Sequence, residues 1–182
     1  MLEKEIGAFI RSVLESFEPS RHLGEVLALR DFLLRAKQKK GNVYFLGNGA
    51  SASISSTLAF KALAEQGVRA LALTDHNLLL GMSRKKSFAE WMSATGEVLL
   101  GPEDSLVLTS SSGKSENMVN LAKLGRSRGL NVFSLTGFSR DNELRGISHE
   151  GLWVNSKNYN VVESVHLLLG LLAVRGFGKE SR

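Results

Sequence analysis

Two short segments of this chain gather residues suited to holding an anion. Gly47-Asn48-Gly49-Ala50-Ser51 follows the apolar run Asn42-Val43-Tyr44-Phe45-Leu46 and leads into a stretch of small residues. Glycines allow a close backbone approach, and exposed N–H groups at the start of a helix favour negative charge. Ser51 is placed to cap that helix and to offer its hydroxyl. The second segment, Thr109-Ser110-Ser111-Ser112-Gly113-Lys114-Ser115, sets five hydroxyls around one glycine. A turn needs one cap, not a run of hydroxyls; neutral hydroxyl and N–H donors suit a phosphate monoester. Neither segment is a nucleotide P-loop, since no Gly-x-x-x-x-Gly-Lys-Ser/Thr occurs. Neither is a dinucleotide fingerprint, because Ala52 stands where the third glycine belongs. Lys114 either adds charge to the phosphate or is a solvated lysine.

The elements around these segments must place them together. Ile6, Phe9, Ile10, Val13, Leu14 and Phe17 recur at helical spacing; Pro19-Ser20 interrupts, with Ser20 positioned to cap a second helix that ends near Gly41. Residues 42–46 form a buried strand, and a helix runs from about Ser51 to Gln66. Further strands are expected at 68–73, 105–109, 130–136 and 151–155, and helices near 88–94, at 115–128 and at 160–175. This alternation implies parallel strands with right-handed crossovers, and such sheets bind ligands at the carboxyl ends of their strands. Both segments fall at that edge. No repeat, linker or second domain is visible, so residues 1–182 are expected to form one domain: helices to about residue 40, then an α/β core.

Composition narrows the functional classes. The chain is 43% hydrophobic and 23% charged, ordinary globular values. No apolar stretch is long enough to span a membrane, and acids stand where a signal peptide would begin. With no cysteine, disulfides and thiolate metal sites are excluded. The expected location is cytoplasmic. The net charge of +5 fits an anionic small substrate. Its lysines and arginines are scattered and lack interleaved aromatics, which argues against nucleic acid.

The two segments, with Ala72-Leu73-Thr74-Asp75, Ser134-Leu135-Thr136-Gly137 and Val162-Glu163-x-x-His166, resemble the sugar isomerase (SIS) domain family, most closely its phosphoheptose isomerase branch. The resemblance implies a three-layer α/β/α sandwich with a five-stranded parallel sheet, preceded by two helices. It implies a homo-oligomer, tetramer or dimer, built on the N- and C-terminal helices, whose apolar faces need partners. It further implies that Asn48, Gly49, Ala50 and Ser51 line a sugar site, that Ser110, Ser111, Ser112 and Ser115 hold phosphate, and that Asp75 binds sugar hydroxyls.

The same resemblance exposes departures. Members of this branch move a proton between adjacent sugar carbons, using a histidine and a glutamate on the first core helix and a glutamine and a histidine on the last; some bind zinc. Here Thr57, Lys61, Glu163 and Leu171 stand at those positions. No metal or other cofactor is expected. Lys61 either acts as an unusual base, pairs with Glu163, or has no catalytic part. Glu163 and His166, at i and i+3, are the surviving candidates for base and acid; otherwise Glu163 is a helix-start carboxylate and His166 a core histidine. His76 is a loop residue or a substrate contact, and His22 and His149 are expected at the surface. The expected function is a sugar-phosphate-binding protein, an aldose–ketose isomerase of the phosphoheptose type. The alternative is a non-catalytic sensor or adaptor; a lyase or etherase on an amino-sugar phosphate is a third possibility.

Overall fold

The computed structural model describes residues 1–17 and 19–175. Two helices, α1 (Leu2–Ser16) and α2 (Pro19–Lys39), precede β1 (Val43–Gly47) and α3 (Ala50–Gln66). Then come β2 (Ala70–Ala72), α4 (His76–Lys85), α5 (Trp91–Leu99), β3 (Ser105–Ser110) and α6 (Glu116–Ser127). β4 (Asn131–Thr136), α7 (Glu143–Ile147), β5 (Glu150–Trp153) and α8 (Tyr159–Val174) complete the order. The sheet is five-stranded, in the order β2-β1-β3-β4-β5, and each pairing is parallel.

Alternation along the strands divides the core in two. Val43, Phe45, Val107, Phe133 and Leu135 face α2, α3 and α8. Tyr44, Leu46, Leu106, Leu108 and Val132 face α5 and α6. This is the period-two pattern of a strand covered on both faces, and it yields the three layers expected. Phe32 of α2 meets Phe133 of β4 edge-on at 5.5 Å, fixing α2 on its face of the sheet.

The chain leaves β1 for β2 on one side and returns to β3 on the other. The carboxyl ends of β1 and β3 therefore bound the crevice where strand order reverses, the usual ligand position in open α/β sheets. α3 and α8 both start from that edge and run the same way. Leu58 abuts Gly170, and Gln66 Nε2 donates to Ala173 O at 2.9 Å.

Several local expectations are corrected. Ser20 does not cap α2, because the helix already includes Pro19; proline suits a first turn, where its missing N–H costs nothing. α4 and α7 were not foreseen. Each starts from an Asx cap: Asp75 accepts from Leu78 N, and Asn142 from Arg145 N. α5 starts later than expected and runs through Leu99. His22 is buried at 2% exposure rather than on the surface. Its Nδ1 meets Glu25 and its Nε2 meets Ser16 O. His149 is exposed, as expected. The apolar surface of α8 is largely covered within the chain by α1, α2 and α3. α1 differs: it has no buried residue, and Leu2, Ile6, Ile10 and Leu14 are exposed.

Candidate functional site

Parallel pairing places Gly47 opposite Thr109, so the loops after β1 and β3 leave the sheet side by side. Asn48 and Asn117 join them. Each amide donates Nδ2–H to the other's Oδ1, both at 2.9 Å. Asn117 is 1% exposed and its Oδ1 also accepts from Met118 N, so one side chain ties the first loop to the first turn of α6. Asn117 was missed in the sequence; its only signal is an amide in the first turn after a serine-rich loop.

Gly47 is required by proximity. A Cβ there would lie 2.5 Å from the backbone C and O of Ser51, so only glycine lets β1 turn this tightly into α3. Gly49 occupies the N-cap position of α3, not Ser51. Ser51 lies inside the first turn and is buried, which corrects its capping role. Gly49 and Ala50 are exposed at the mouth of the loop.

The second loop is held from both sides. Gly113 has φ +64°, and a Cβ there would lie 1.9 Å from Asn142 Oδ1. Its N–H reaches Ser110 O and its carbonyl takes Leu144 N. Ser110 Oγ and Ser115 Oγ are 3.2 Å apart, and Ser112 Oγ accepts from Lys114 N at 3.3 Å. Ser115 stands at the N-cap of α6 without using its side chain as a cap, so its hydroxyl is not committed to the helix. The N–H groups of Glu116 and Asn117 precede the first helical bonds, which Met118 N and Val119 N make to Ser115 O, and have no carbonyl partner within the helix. Thr109 does not belong to this cradle: it is fully buried in β3, and its Oγ1 accepts from Ser55 Oγ. Lys114 is exposed.

Beside the first loop lies an open cavity of about 620 Å³, lined by Ala52, Ser53, Ser56, Thr57, Phe60 and Thr74. Its hydroxyls come from one face of α3 and from the end of the β2 edge. Ser53 and Ser56 were not singled out in the sequence, although serine and threonine at spacings of three and four on α3 were there to be read, and Thr74 was named only as part of the Ala72–Asp75 motif. Asp75 follows Thr74. Its Oδ1 accepts from Leu78 N at 2.7 Å, a capping task that leaves the second oxygen at the surface. His76 is exposed as the first residue of α4.

The catalytic candidates are not assembled as a set. Lys61 Nζ bonds to Glu65 Oε1 at 2.9 Å, one helical turn away, so the expected alternative of a Lys61–Glu163 pair is overturned. Lys61 lines a separate hollow with Glu65, Leu171, Val174 and Arg175. Leu171 lies eight residues beyond Glu163 on α8, about 12 Å along the axis. Lys61 is thus far down α3 from the cradle edge. Glu163 is half-buried in the second turn of α8, too far from the helix start to be explained by the dipole alone.

His166 is a core residue with 0% exposure. Its Nε2 lies 3.0 Å from Thr136 O, so Nε2 carries the proton and donates. Nδ1 is buried with no partner. Burial lowers the pKa to about 4, against the raising effect of the Thr136 hydrogen bond and with a smaller lowering by His22. A sealed, neutral imidazole does not touch a ligand in an open crevice, so a direct acid role for His166 is corrected. What it does is positional. It holds Thr136 O, and the next residue, Gly137, donates its N–H to Ser111 O at 2.9 Å. His166 therefore braces the second loop through the end of β4.

Zinc, which some relatives of this kind use, does not fit the residues present. Thr57, Lys61 and Leu171 provide no imidazole, Lys61 is engaged by Glu65, and Leu171 has no donor atom.

A family model described as the SIS domain matches residues 7–137. The phosphoheptose isomerase of Akkermansia muciniphila is 32% identical over 141 residues, 74% of this chain and 74% of that protein. Among solved structures, phosphoheptose isomerase GmhA from Neisseria gonorrhoeae superposes with a TM-score of 0.86 at 22% identity, covering 96% of this chain and 97% of the other. A phosphoheptose isomerase from Francisella tularensis gives a TM-score of 0.79 at 19% identity, covering 95% and 94%. The chain belongs to the SIS domain family, on its phosphoheptose isomerase branch.

Proposed function

We propose that this chain is a phosphosugar isomerase of the aldose–ketose type, acting on a sugar phosphate whose phosphate lies between the two loops. The observation that carries this is the coupling of the loops at the β1/β3 switch point: Gly47 opposite Thr109, and Asn48 locked to Asn117. The Ser112 and Ser115 hydroxyls and the first N–H groups of α6 take the phosphate, with Ser110 and Ser111 shaping the loop beneath them. Asn48, Gly49, Ala50 and Ser51 form the other wall. The sugar extends over the hydroxyl-lined face of α3 towards Asp75, whose uncommitted oxygen accepts a sugar hydroxyl.

Isomerisation moves a proton from the carbon beside the carbonyl to its neighbour through an enediol. Glu163 is the carboxylate we assign as base. It sits near the start of α8, which leaves the same sheet edge as the cradle. Loop N–H groups and hydroxyls around the crevice would stabilise the enediolate. His166 supports the loop and does not exchange protons with substrate, and Lys61 takes no part. No metal or other cofactor is invoked.

The remaining parts of this reading concern setting. The whole chain forms one SIS domain, acts in the cytoplasm and binds no nucleic acid, its cations being scattered. It assembles into a homo-oligomer through α1, whose Leu2, Ile6, Ile10 and Leu14 are uncovered within the chain. Among the described residues no helix is long and apolar enough to cross a membrane.

Calorimetric titration with a heptose phosphate and with the dephosphorylated sugar tests the site. The phosphate ester should bind and the free sugar should not. Ser112→Ala with Ser115→Ala should weaken binding by at least about tenfold. Equal binding of both sugars, or no effect of the double variant, would refute the cradle.

A further inference from the structure

β4 runs out through Thr136-Gly137-Phe138, and these three residues touch both the phosphate loop and α8. Towards the loop, Gly137 N donates to Ser111 O at 2.9 Å. Gly137 O accepts from Asn142 Nδ2 at 3.4 Å, and Asn142 is the side chain that a Cβ on Gly113 would strike. Towards α8, His166 Nε2 donates to Thr136 O at 3.0 Å. A Cβ on Gly137 would lie 2.7 Å from both γ-carbons of Val162, so glycine lets the helix come this close. The Phe138 ring meets the Tyr159 ring edge-on at 4.8 Å. Phe138 N donates to Ser156 O at 2.9 Å, just before the helix begins.

Tyr159, Val162 and His166 stand at i, i+3 and i+7, one face of α8. Glu163 lies at the border of that face, four residues after Tyr159 and three before His166. Its place on the helix is therefore held by contacts on either side, and these contacts run to residues 136–138. Phe138 adopts φ +54°, a left-handed conformation that bulky side chains rarely take. Such outliers persist where the surroundings hold them, and they gather at working sites. Glycine would adopt this backbone freely but has no ring to set against Tyr159. Tyr159 is 55% exposed, so the ring contact adds little to the core. Its effect is on where α8 begins.

We infer that Phe138 is a positioning residue: through Tyr159 it sets the place of Glu163 relative to the phosphate held by the second loop. This rests on the isomerase reading of Glu163 given above. A sugar anchored by its phosphate meets the base in a productive geometry only if the spacing between loop and α8 is fixed. A misplacement of about 1 Å can cost roughly 100-fold in rate. The turn at residues 136–138 fixes that spacing because it bonds to the loop at Ser111 and to α8 at Tyr159, Val162 and His166. Loss of the Phe138 ring leaves the loop contacts of Gly137 in place and releases the start of α8. Phosphate binding is then kept, and the chemical step is slowed.

The experiment joins turnover of a sugar phosphate to amide NMR of the full chain titrated with inorganic phosphate, with circular dichroism to establish that each variant is folded. Phe138→Gly relieves the backbone and removes the ring. It should lose at least about tenfold in kcat with KM within about threefold of the parent. Tyr159→Ala, at an exposed helix start, should match it and stands in for it if Phe138→Gly does not fold. Phe138→Tyr keeps the ring and should restore parental turnover. In a Glu163→Gln background, Phe138→Gly should cost less than about twofold more, since both changes act on one group. In the parent, phosphate should shift the amides of residues 112–115 and of residues 159–163 together; in Phe138→Gly only the first set should move. The inference is overturned if folded Phe138→Gly and Tyr159→Ala turn over as the parent does, or if their loss is additive with Glu163→Gln. It is also overturned if the α8 amides ignore phosphate in the parent or respond equally in the variant. A parent without turnover on any sugar phosphate would instead refute the isomerase reading, and the amide titration alone then decides the coupling.

Discussion

His166→Gln separates a structural histidine from a catalytic one through its dependence on pH. The native imidazole is neutral, with a pKa lowered to about 4 because burial disfavours its charged form and Nδ1 has no partner for an added proton. In the unfolded chain the value returns to about 6.5. As pH falls from 6.5 towards 4 the unfolded state takes up a proton that the native state refuses. Stability from this group is therefore fully present above pH 6.5, declines through that window, and levels off below the native value. The total loss is about 3 kcal/mol. Gln keeps a donor for Thr136 O but does not titrate. The assay is urea unfolding of parent and variant at a series of pH values between neutral and the acid limb. The other histidines are common to both proteins, and only His22 is electrostatically coupled to the substituted residue. The parent should lose about 3 kcal/mol more than the variant on acidification. A difference independent of pH would refute the sealed, neutral histidine. If the variant fails to fold, NMR titration of the His166 ring in the parent answers the same question: a midpoint near 6.5 refutes the account.

Three further outcomes concern the two loops and Lys61. Gly113→Ala forces a side chain into a positive-φ position and against Asn142, and should cost at least about 2 kcal/mol in denaturant unfolding; an unchanged midpoint would mean that the loop is not held as described. Asn48→Ala strips Asn117 of its reciprocal partner and should cost about 1–3 kcal/mol of stability while weakening sugar-phosphate binding; full affinity in the folded variant would show that the loops need no tie. Lys61→Ala removes only a partly exposed pair with Glu65, worth about 0–1 kcal/mol, and should leave turnover within about threefold of the parent; loss of turnover with intact binding would restore Lys61 to the chemistry.

The fold was legible because its signals are local. The apolar run at Val43–Leu46, the glycines after it and the serine run after β3 each announce a strand ending in a loop at the carboxyl edge of the sheet. The short helices α4 and α7 were not, because each depends on one Asx cap rather than on a long apolar stripe. Part of the site was legible for a related reason. Glycine and serine act through backbone conformation and short hydroxyls, so their role follows from where they stand on the chain. Charged residues act through partners, and their partners are set by packing. Lys61 could have met Glu163 or Glu65, and only the parallel course of α3 and α8 decides for Glu65. His166 shares an apolar stripe with Val162 and Leu169, which suggested a core residue, but its hydrogen bond to Thr136 is a long-range contact that no spacing reveals. The role of Asn117 was invisible for the same reason: its tie to Asn48 joins segments far apart in the chain.

The central claim is that a sugar phosphate held in the cradle is isomerised with Glu163 as base. The direct measurement is proton NMR of pentose, hexose and heptose phosphates incubated with the protein in deuterium oxide. An enediol route exposes the transferred proton to solvent. The account predicts conversion of at least one aldose phosphate to its ketose with deuterium at the carbon that receives the proton, and a loss of roughly 100-fold or more in rate for Glu163→Gln with binding retained. Binding without conversion or deuterium in any of these sugars, or a Glu163→Gln variant as active as the parent, would contradict it.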